Sequence, residues 1–306
     1  MSSAEVAVQI FRQLKNEDFR VLQAIETGMS QHEFVPKQQI ARFTKFDLDR
    51  DTDYRLSRLN KLGLTYQTKT SYTGYTLNYA GYDCLAINAL VKAGTLEAFG
   101  KPLGVGKEAD VYDALNPKGQ NIAIKFHRLG RISFRQTLRK RTYTTEPTAR
   151  WLYQSRLAAE REYDALNLLF PKKVAVPKPL DQNRHVVAMG KIEGAELANW
   201  KKLANPQRIL KEILNNVKKA YLKAGVIHAD LSEYNIILRP NKHVLIIDWP
   251  QYVMTQHPNA EELLKRDILN ILRYFERKHG LKTETQQTLD YVTGKKQDPN
   301  AWAHQA

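Results

Sequence analysis

"VIHADLSEYNIIL", residues 226–238, sets a histidine, an aspartate and an asparagine in the pattern H-x-D-x-x-x-x-N, as His228, Asp230 and Asn235. In sites that move a phosphoryl group, an aspartate so placed accepts or orients the proton of an attacking hydroxyl. The asparagine five residues on supplies an oxygen to Mg2+. Eighteen residues after Asp230, Asp248 closes the apolar run "HVLIID", a strand whose end suits a carboxylate bridging Mg2+ to phosphate. His228 reads as a structural histidine bracing the loop.

Upstream, "LGVGKEADVYDAL" (103–115) is a glycine-rich turn between two β-like segments. Gly104, Val105 and Gly106 would bring bare backbone close to phosphates, Lys107 adds charge, and Val111 follows in the next strand. Against the pattern G-x-G-x-x-G-x-V the third glycine is replaced by Ala109, while Val111 is kept. Ile122, Ala123 and Ile124 then form a buried-strand run ending in Lys125, matching the V-A-I-K strand whose lysine holds nucleotide phosphates.

That lysine requires a carboxylate from a helix. The stretch 150–170 reads as helix and offers Glu160 and Glu162. Glu162 shares helical spacing with Ala158 and Leu166 and a side with Ala159 and Leu169, whereas Glu160 has Arg156 and Asp164 at those spacings. Glu162 is therefore the expected partner. "HVVAMGKIEGAEL" (185–197) reads as a strand and a looser glycine-containing stretch, a hinge whose backbone from Met189 to Ile192 would hold an adenine.

The first 91 residues are of a different kind. Residues 4–27 read as one amphipathic helix with Val6, Ile10, Phe11 and Leu14 at helical spacing, a polar stretch at 29–36 breaks the pattern, and a second helical segment follows. A third helix over 48–62 is expected to turn Tyr54, Leu56, Leu59 and Leu62 inward. "LTYQTKTSYTGYTLNYAG" alternates around a Thr73-Gly74 turn as a hairpin, and a short helix over 82–91 closes the unit. Three helices and a hairpin outline a winged helix, with Arg50, Arg55, Arg58 and Lys61 placed to meet phosphates of DNA or RNA and Lys69 at the wing. "KAGTLEAFG" reads as a short linker.

Composition fits this picture. The chain has 306 residues, long enough for two domains, and 42% of them are hydrophobic. No apolar run reaches the ~18–20 residues that span a bilayer, and no signal peptide is expected at the N-terminus. Cys84 is the only cysteine and reads as a small buried apolar residue, so a cytoplasmic setting without membrane association is expected. The net charge is +15, and residues 1–90 hold 11 basic against 10 acidic residues, so the excess lies almost wholly after them. Between Lys125 and Arg161 ten basic residues face only Glu146 and Glu160, a bias that points to a polyanionic partner such as RNA. The part from Arg128 to Arg141 is expected to be mobile until such a partner orders it.

The departures from a conventional protein kinase carry information. Ala229 stands where an arginine would grip a phosphorylated activation loop, Trp249-Pro250 replaces Phe-Gly after the metal aspartate, and 58 residues follow Asp248 without an Ala-Pro-Glu motif. "GVGKEADVY", "IAIKFHRLGRISFR", "IHADLSEYNIIL" and "IIDWPQYVMTQHPNAEELLKRDI" together resemble the RIO family of atypical protein kinases. The N-terminal winged helix resembles that of the subfamily called the second RIO kinases, and the length resembles its archaeal members. Ala229 replaces the family's catalytic-loop glycine, and Trp249 stands where the family often has Phe.

The resemblance implies an α+β chain: a winged helix over 1–91, a linker over 92–99, a compact two-lobed kinase-like domain over 100–285, and a tail over 286–306. It implies an ATP- and Mg2+-dependent kinase or ATPase, with Mn2+ as the alternative ion, acting in maturation of the small ribosomal subunit on its precursor and rRNA. It also implies that Asp248 accepts phosphate as an aspartyl-phosphate, with Asp230 the other catalytic residue. Two other readings share parts of the pattern: a small-molecule kinase of the aminoglycoside or choline type, and a nucleic-acid-binding regulator with a dead kinase fold. The first needs a larger helical substrate pocket after Asp248 and no winged helix. The second usually loses the lysine, the base or the metal aspartate, all kept here.

Overall fold

The computed structural model describes residues 2–69, 71–129, 148–296 and 304–305. The chain divides into two compact units, Met1–Ala159 with Asp181–Ala188, and Glu160–Leu180 with Met189–Ala306. The division falls inside a helix, between Ala159 and Glu160.

The first unit opens with helices α1 (Ser3–Phe11) and α2 (Asn16–Gly28), not the single helix expected over 4–27. The break has a local cause: the Asp18 carboxylate accepts the Lys15 amide at 2.8 Å, which caps a new helix at that point. Strand β1 (Val35–Pro36) leads into α3 (Lys37–Thr44), a π-turn at Leu48–Thr52, and α4 (Asp53–Lys61). Leu56 and Leu59 of α4 are fully buried as expected, but Tyr54 is 64% exposed and Leu62 half-buried.

Strands β2 (Thr65–Lys69) and β3 (Thr73–Leu77) form the wing, in a three-stranded sheet ordered β1-β3-β2. The expected Thr73-Gly74 turn is wrong: both residues lie in β3, and the chain reverses just before them. Gly74 pairs with Pro36 of β1, where a Cβ would come within 2.7 Å of the Tyr72 ring and 3.0 Å of Phe34 Cβ. The glycine serves close strand approach instead of a turn. Helix α5 (Tyr79–Lys92) is longer than the 82–91 expected, because Asn78 caps it by accepting the Gly81 amide at 3.0 Å.

The residues expected as a linker are packed. Thr95 Oγ1 donates to Asp181 at 2.7 Å, Leu96 is 1% exposed, and the Glu97 amide donates to Leu115 O at 2.8 Å. Strands β4 (Ala98–Val105), β5 (Ala109–Leu115) and β6 (Asn121–His127) follow as an antiparallel meander. With β7 (Pro179–Asn183) and β8 (Val186–Gly190) they make a five-stranded sheet in the order β4-β5-β6-β8-β7. Helix α6 (Thr148–Leu169) carries the chain from the first unit into the second.

Side chains weld the winged helix to this sheet within the first unit. Arg184 forms a two-pronged pair with Glu26, at 2.8 and 2.6 Å, and the Ser2 and Tyr112 hydroxyls are 2.7 Å apart. At the centre lies a fully buried charge cluster. Arg128 donates through Nη1 and Nη2 to both Asp83 oxygens, at 2.7 and 2.8 Å, and through Nε to Asp110 at 3.1 Å. His185 Nε2 sits 2.6 Å from Asp83 Oδ1, with its ring stacked on Tyr82 at 4.6 Å. Burial pushes the Asp83 carboxyl up, but Arg128 and the His185 hydrogen bond outweigh it and leave it below the usual range. Cys84 beside it is buried as expected, and burial pushes its thiol up.

The second unit contains β9 (Ala195–Glu196), α7 (Pro206–Lys219), β10 (Val226–Ile227), β11 (Ile236–Leu238), β12 (Val244–Ile246) and β13 (Val253–Met254). Helix α8 (Ala260–His279), β14 (Leu281–Lys282), α9 (Thr285–Val292) and β15 (His304–Gln305) complete it. The tail expected from 286 is helical over its first part, because Leu289, Tyr291 and Val292 are buried. No described helix is long and apolar enough to cross a membrane.

Candidate active site

In the first unit the sheet register aligns the predicted phosphate-binding residues. Gly104 on β4 pairs with Val111 on β5, which pairs with Lys125 on β6. Residues directly opposite in an antiparallel sheet share a face, so the three positions form one row across it. Val105, Gly106 and Lys107 continue from Gly104 into the β4–β5 turn, all exposed, and Gly106 N closes the turn on Ala109 O at 2.8 Å. A Cβ built on Gly104 would meet nothing within 4 Å. Among the described residues no packing requires glycine there, and none stands above the bare backbone. Lys125 is 8% exposed at the end of its apolar strand.

In the second unit, Glu162 on α6 is 2% exposed on the face that also buries Ala165, Leu166 and Leu169. The helical-spacing argument for its inward orientation therefore holds, whereas Glu160, which belonged to the other face, is half-buried. Met189 is buried at the end of β8 and Ile192 half-buried in the loop beyond it.

The catalytic loop runs from β10 to β11 and is held from three sides. Ala229 has φ 63° and Asp248 φ 67°, left-handed values that cost a side-chain-bearing residue energy and persist only where the surroundings impose them. Asp267 on α8 imposes the first: it is 1% exposed and accepts the amides of Ala229 at 2.7 Å and Leu231 at 2.9 Å. Arg266 donates to Ala229 O, and Asn270 Nδ2 donates to Leu231 O at 3.1 Å. Burial pushes the Asp267 carboxyl up in pKa, against the pull of those amides, His228 and Arg266. Asp230 lies between the two anchored amides, with its side chain exposed.

His228 braces the loop as expected. Its Nε2 is 3.0 Å from Ile247 O, and its ring packs 4.5 Å from that of Trp249. Trp249 is 1% exposed and donates from Nε1 to Ile246 O at 3.1 Å, so the residues flanking Asp248 are fixed. Asn235 Nδ2 donates to Asp230 O at 2.9 Å, which directs its Oδ1 away from that contact as an acceptor. Its carbonyl accepts the Ile247 amide at 2.9 Å, tying the asparagine to the residue between the end of β12 and Asp248. An amide oxygen and a carboxylate are the hard donors that Mg2+ takes.

Several predicted residues lie elsewhere or do something else. Arg55 and Arg58, expected on a nucleic-acid-facing surface, turn inward: both reach the buried Asp18 carboxylate, Arg55 at 2.9 Å, and Arg58 also donates to Gln13 O at 2.6 Å. Of that set Arg50 and Lys61 remain exposed. Arg128, counted in the basic stretch, is the buried centre of the Asp83 cluster. Residues 130–141, including Arg135, Arg139 and Arg141, lie outside the described residues, and so does the mobility expected of them. Sequence reasoning missed Asp267 altogether, although Leu264, Ile268 and Ile271 place it on the apolar face of an amphipathic helix, where a lone carboxylate requires partners.

Comparison with known proteins agrees with this arrangement. A family model described as "RIO domain" matches residues 110–288, and one described as "Rio2, N-terminal" matches residues 11–93. The chain belongs to the RIO kinases, in their Rio2 branch. It is 46% identical over 278 residues to the RIO-type serine/threonine-protein kinase Rio2 of Methanocaldococcus jannaschii, covering 87% of this chain and 100% of that one. It is 37% identical to the serine/threonine-protein kinase rio2 of Schizosaccharomyces pombe, covering 90% and 80%. A crystal structure of the Rio2 kinase–ADP/Mg2+–phosphoaspartate complex from Chaetomium thermophilum superposes with TM-score 0.81 at 31% identity, covering 95% of this chain and 90% of that chain. These relatives are protein kinases of the RIO type, not small-molecule kinases, and residues 11–93, with the wing, are the Rio2 N-terminal winged helix.

Proposed function

We propose that the protein is a magnesium-dependent, ATP-binding kinase or ATPase whose productive cycle passes through a phosphoryl group on Asp248, and that it works on the precursor of the small ribosomal subunit. The observation that carries the reading is the loop pair itself. Asp230 and Asp248 are set by backbone that Asp267, His228 and Trp249 fix, with Asn235 bonded to Asp230 O and to the amide of Ile247, the residue before Asp248. The related Rio2 kinase structure with ADP, Mg2+ and phosphoaspartate supports the same chemistry.

Each residue then has a role. The backbone of Gly104, Val105 and Gly106 and the Lys107 ammonium receive phosphate oxygens, Val111 covers the base or sugar, and the Lys125 ammonium holds the α- and β-phosphates. Backbone from Met189 to Ile192 reads the adenine. Asn235 and Asp248 hold Mg2+, which neutralises charge on the transferring group. A carboxylate oxygen of Asp248 attacks the γ-phosphorus, the bond to the β,γ-bridging oxygen breaks, and ADP leaves. Water then cleaves the acyl phosphate, with Asp230 taking the water's proton. A net charge of +15 supports an rRNA-bearing partner.

The test is a single-turnover incubation with γ-labelled ATP and Mg2+, with and without small-subunit precursor particles. Asp230→Ala is expected to bind the particles as the parent does and to leave them more slowly. Stoichiometric phosphoserine on a ribosomal protein, with no label on the enzyme's own carboxylate, would restore a conventional kinase reading.

A further inference from the structure

We propose that Arg161 is a positioning residue for the metal- and phosphate-bearing carboxylate, clamping the segment after Asp248 to the helix that carries Glu162. The inference rests on the reading of Asp248 given above.

Arg161 lies one residue before Glu162 on α6, in the same compact unit as residues 248–252. Its guanidinium is spent on main chain. Nε donates to Pro250 O at 2.7 Å, Nη2 donates to Tyr252 O, and Cζ stands 5.0 Å over the Tyr252 ring. Among the described residues no carboxylate pairs with it; its partners are two carbonyls and a ring. An arginine fork suits this use, since its rigid plane fixes the direction of two acceptors at once, which a lysine cannot do.

The position of the clamp gives it a role beyond packing. Asp248 has φ 67°, and Pro250, two residues on, restricts the chain between them. On the upstream side His228 reaches Ile247 O, and Trp249 is anchored under the strand. Arg161 supplies the downstream anchor. Without it, the segment can relax Asp248 toward an ordinary φ and swing its carboxylate away from the oxygen of Asn235. The clamp also joins the helix that carries Glu162 to the segment that follows Asp248.

The test uses the full chain as Arg161→Ala and Arg161→Lys, with two readouts: affinity for a fluorescent ADP analogue without metal, and ATP turnover titrated with Mg2+. Arg161→Ala is expected to bind the analogue within about twofold of the parent, to need about tenfold more Mg2+ for half-maximal turnover and to lose about tenfold in kcat. Arg161→Lys, which reaches one carbonyl, is expected between the two. If the alanine variant melts below the assay temperature, the Mg2+ titration of the lysine variant decides the question. A Mg2+ requirement unchanged from the parent in a folded variant overturns the proposal while leaving the function standing. A parent with no Mg2+-dependent turnover overturns the reading of Asp248, and this role with it.

Discussion

Asp267→Ala is the most informative perturbation of the scaffold. The carboxylate is 1% exposed and accepts two main-chain amides, at 2.7 and 2.9 Å, from the residues on either side of Asp230. Removing it strands two buried N–H groups at roughly 1–3 kcal/mol each, and relief of the carboxylate's own burial returns part of that. The net expectation is a loss of about 2–4 kcal/mol. Asp267→Asn keeps one acceptor oxygen and turns its amide toward the other N–H, for a loss of about 1–2 kcal/mol. Urea unfolding followed by tryptophan fluorescence, read as a midpoint shift at constant slope, measures both. The same variants should lose ATP turnover beyond what their folded fraction explains, because Ala229 no longer has a reason to stay left-handed. A stability loss below about 0.5 kcal/mol for the alanine variant would refute the reasoning, since it would mean the two amides find other acceptors.

Other expectations follow from the same contacts. Burial, against the opposing pull of Asp83, holds the His185 pKa down to about 4 from 6.5. Below pH 6.5 the unfolded chain binds a proton that the native state refuses, so stability falls as pH drops toward 4, by up to about 3 kcal/mol. His185→Gln should flatten that slope in melts across the window; an unchanged slope would remove His185 as its source. Asp18→Ala leaves Arg55 and Arg58 facing a buried void in place of their shared carboxylate and should cost about 2–4 kcal/mol by urea unfolding, with a near-neutral result arguing against the inward arginine pair. Ala229→Gly should raise stability by about 0.5–1 kcal/mol, because glycine holds φ 63° without a Cβ penalty; a destabilised variant would show that the left-handed strain is not real.

The candidate site was legible because its residue types stand at fixed spacing. His228, Asp230, Asn235 and Asp248 lie in loops bounded by apolar strands, and the helical face of Glu162 follows from its neighbours at three and four residues. What the sequence hid was set by contacts between distant segments. Arg55 and Arg58 look like solvent-facing helix cations until Asp18, 37 and 40 positions away, is seen beneath them. Arg128 reads as the start of a basic run, yet Asp83 from α5 and Asp110 from β5 enclose it. The Thr73-Gly74 turn failed for a related reason: Gly74 answers to β1, which only the folded sheet brings alongside. The break between α1 and α2 is an exception, since Asp18 three residues after Lys15 was a local signal available in the sequence.

The central claim, that Asp248 itself takes the phosphoryl group, is tested most directly by trapping the enzyme in a single turnover with γ-labelled ATP and Mg2+ and treating the denatured protein with hydroxylamine. The label should stay with the chain in acid, leave on hydroxylamine treatment as an acyl phosphate must, map to the peptide containing Asp248, and be absent from Asp248→Asn. A label that resists hydroxylamine, or that persists in Asp248→Asn, would contradict the account.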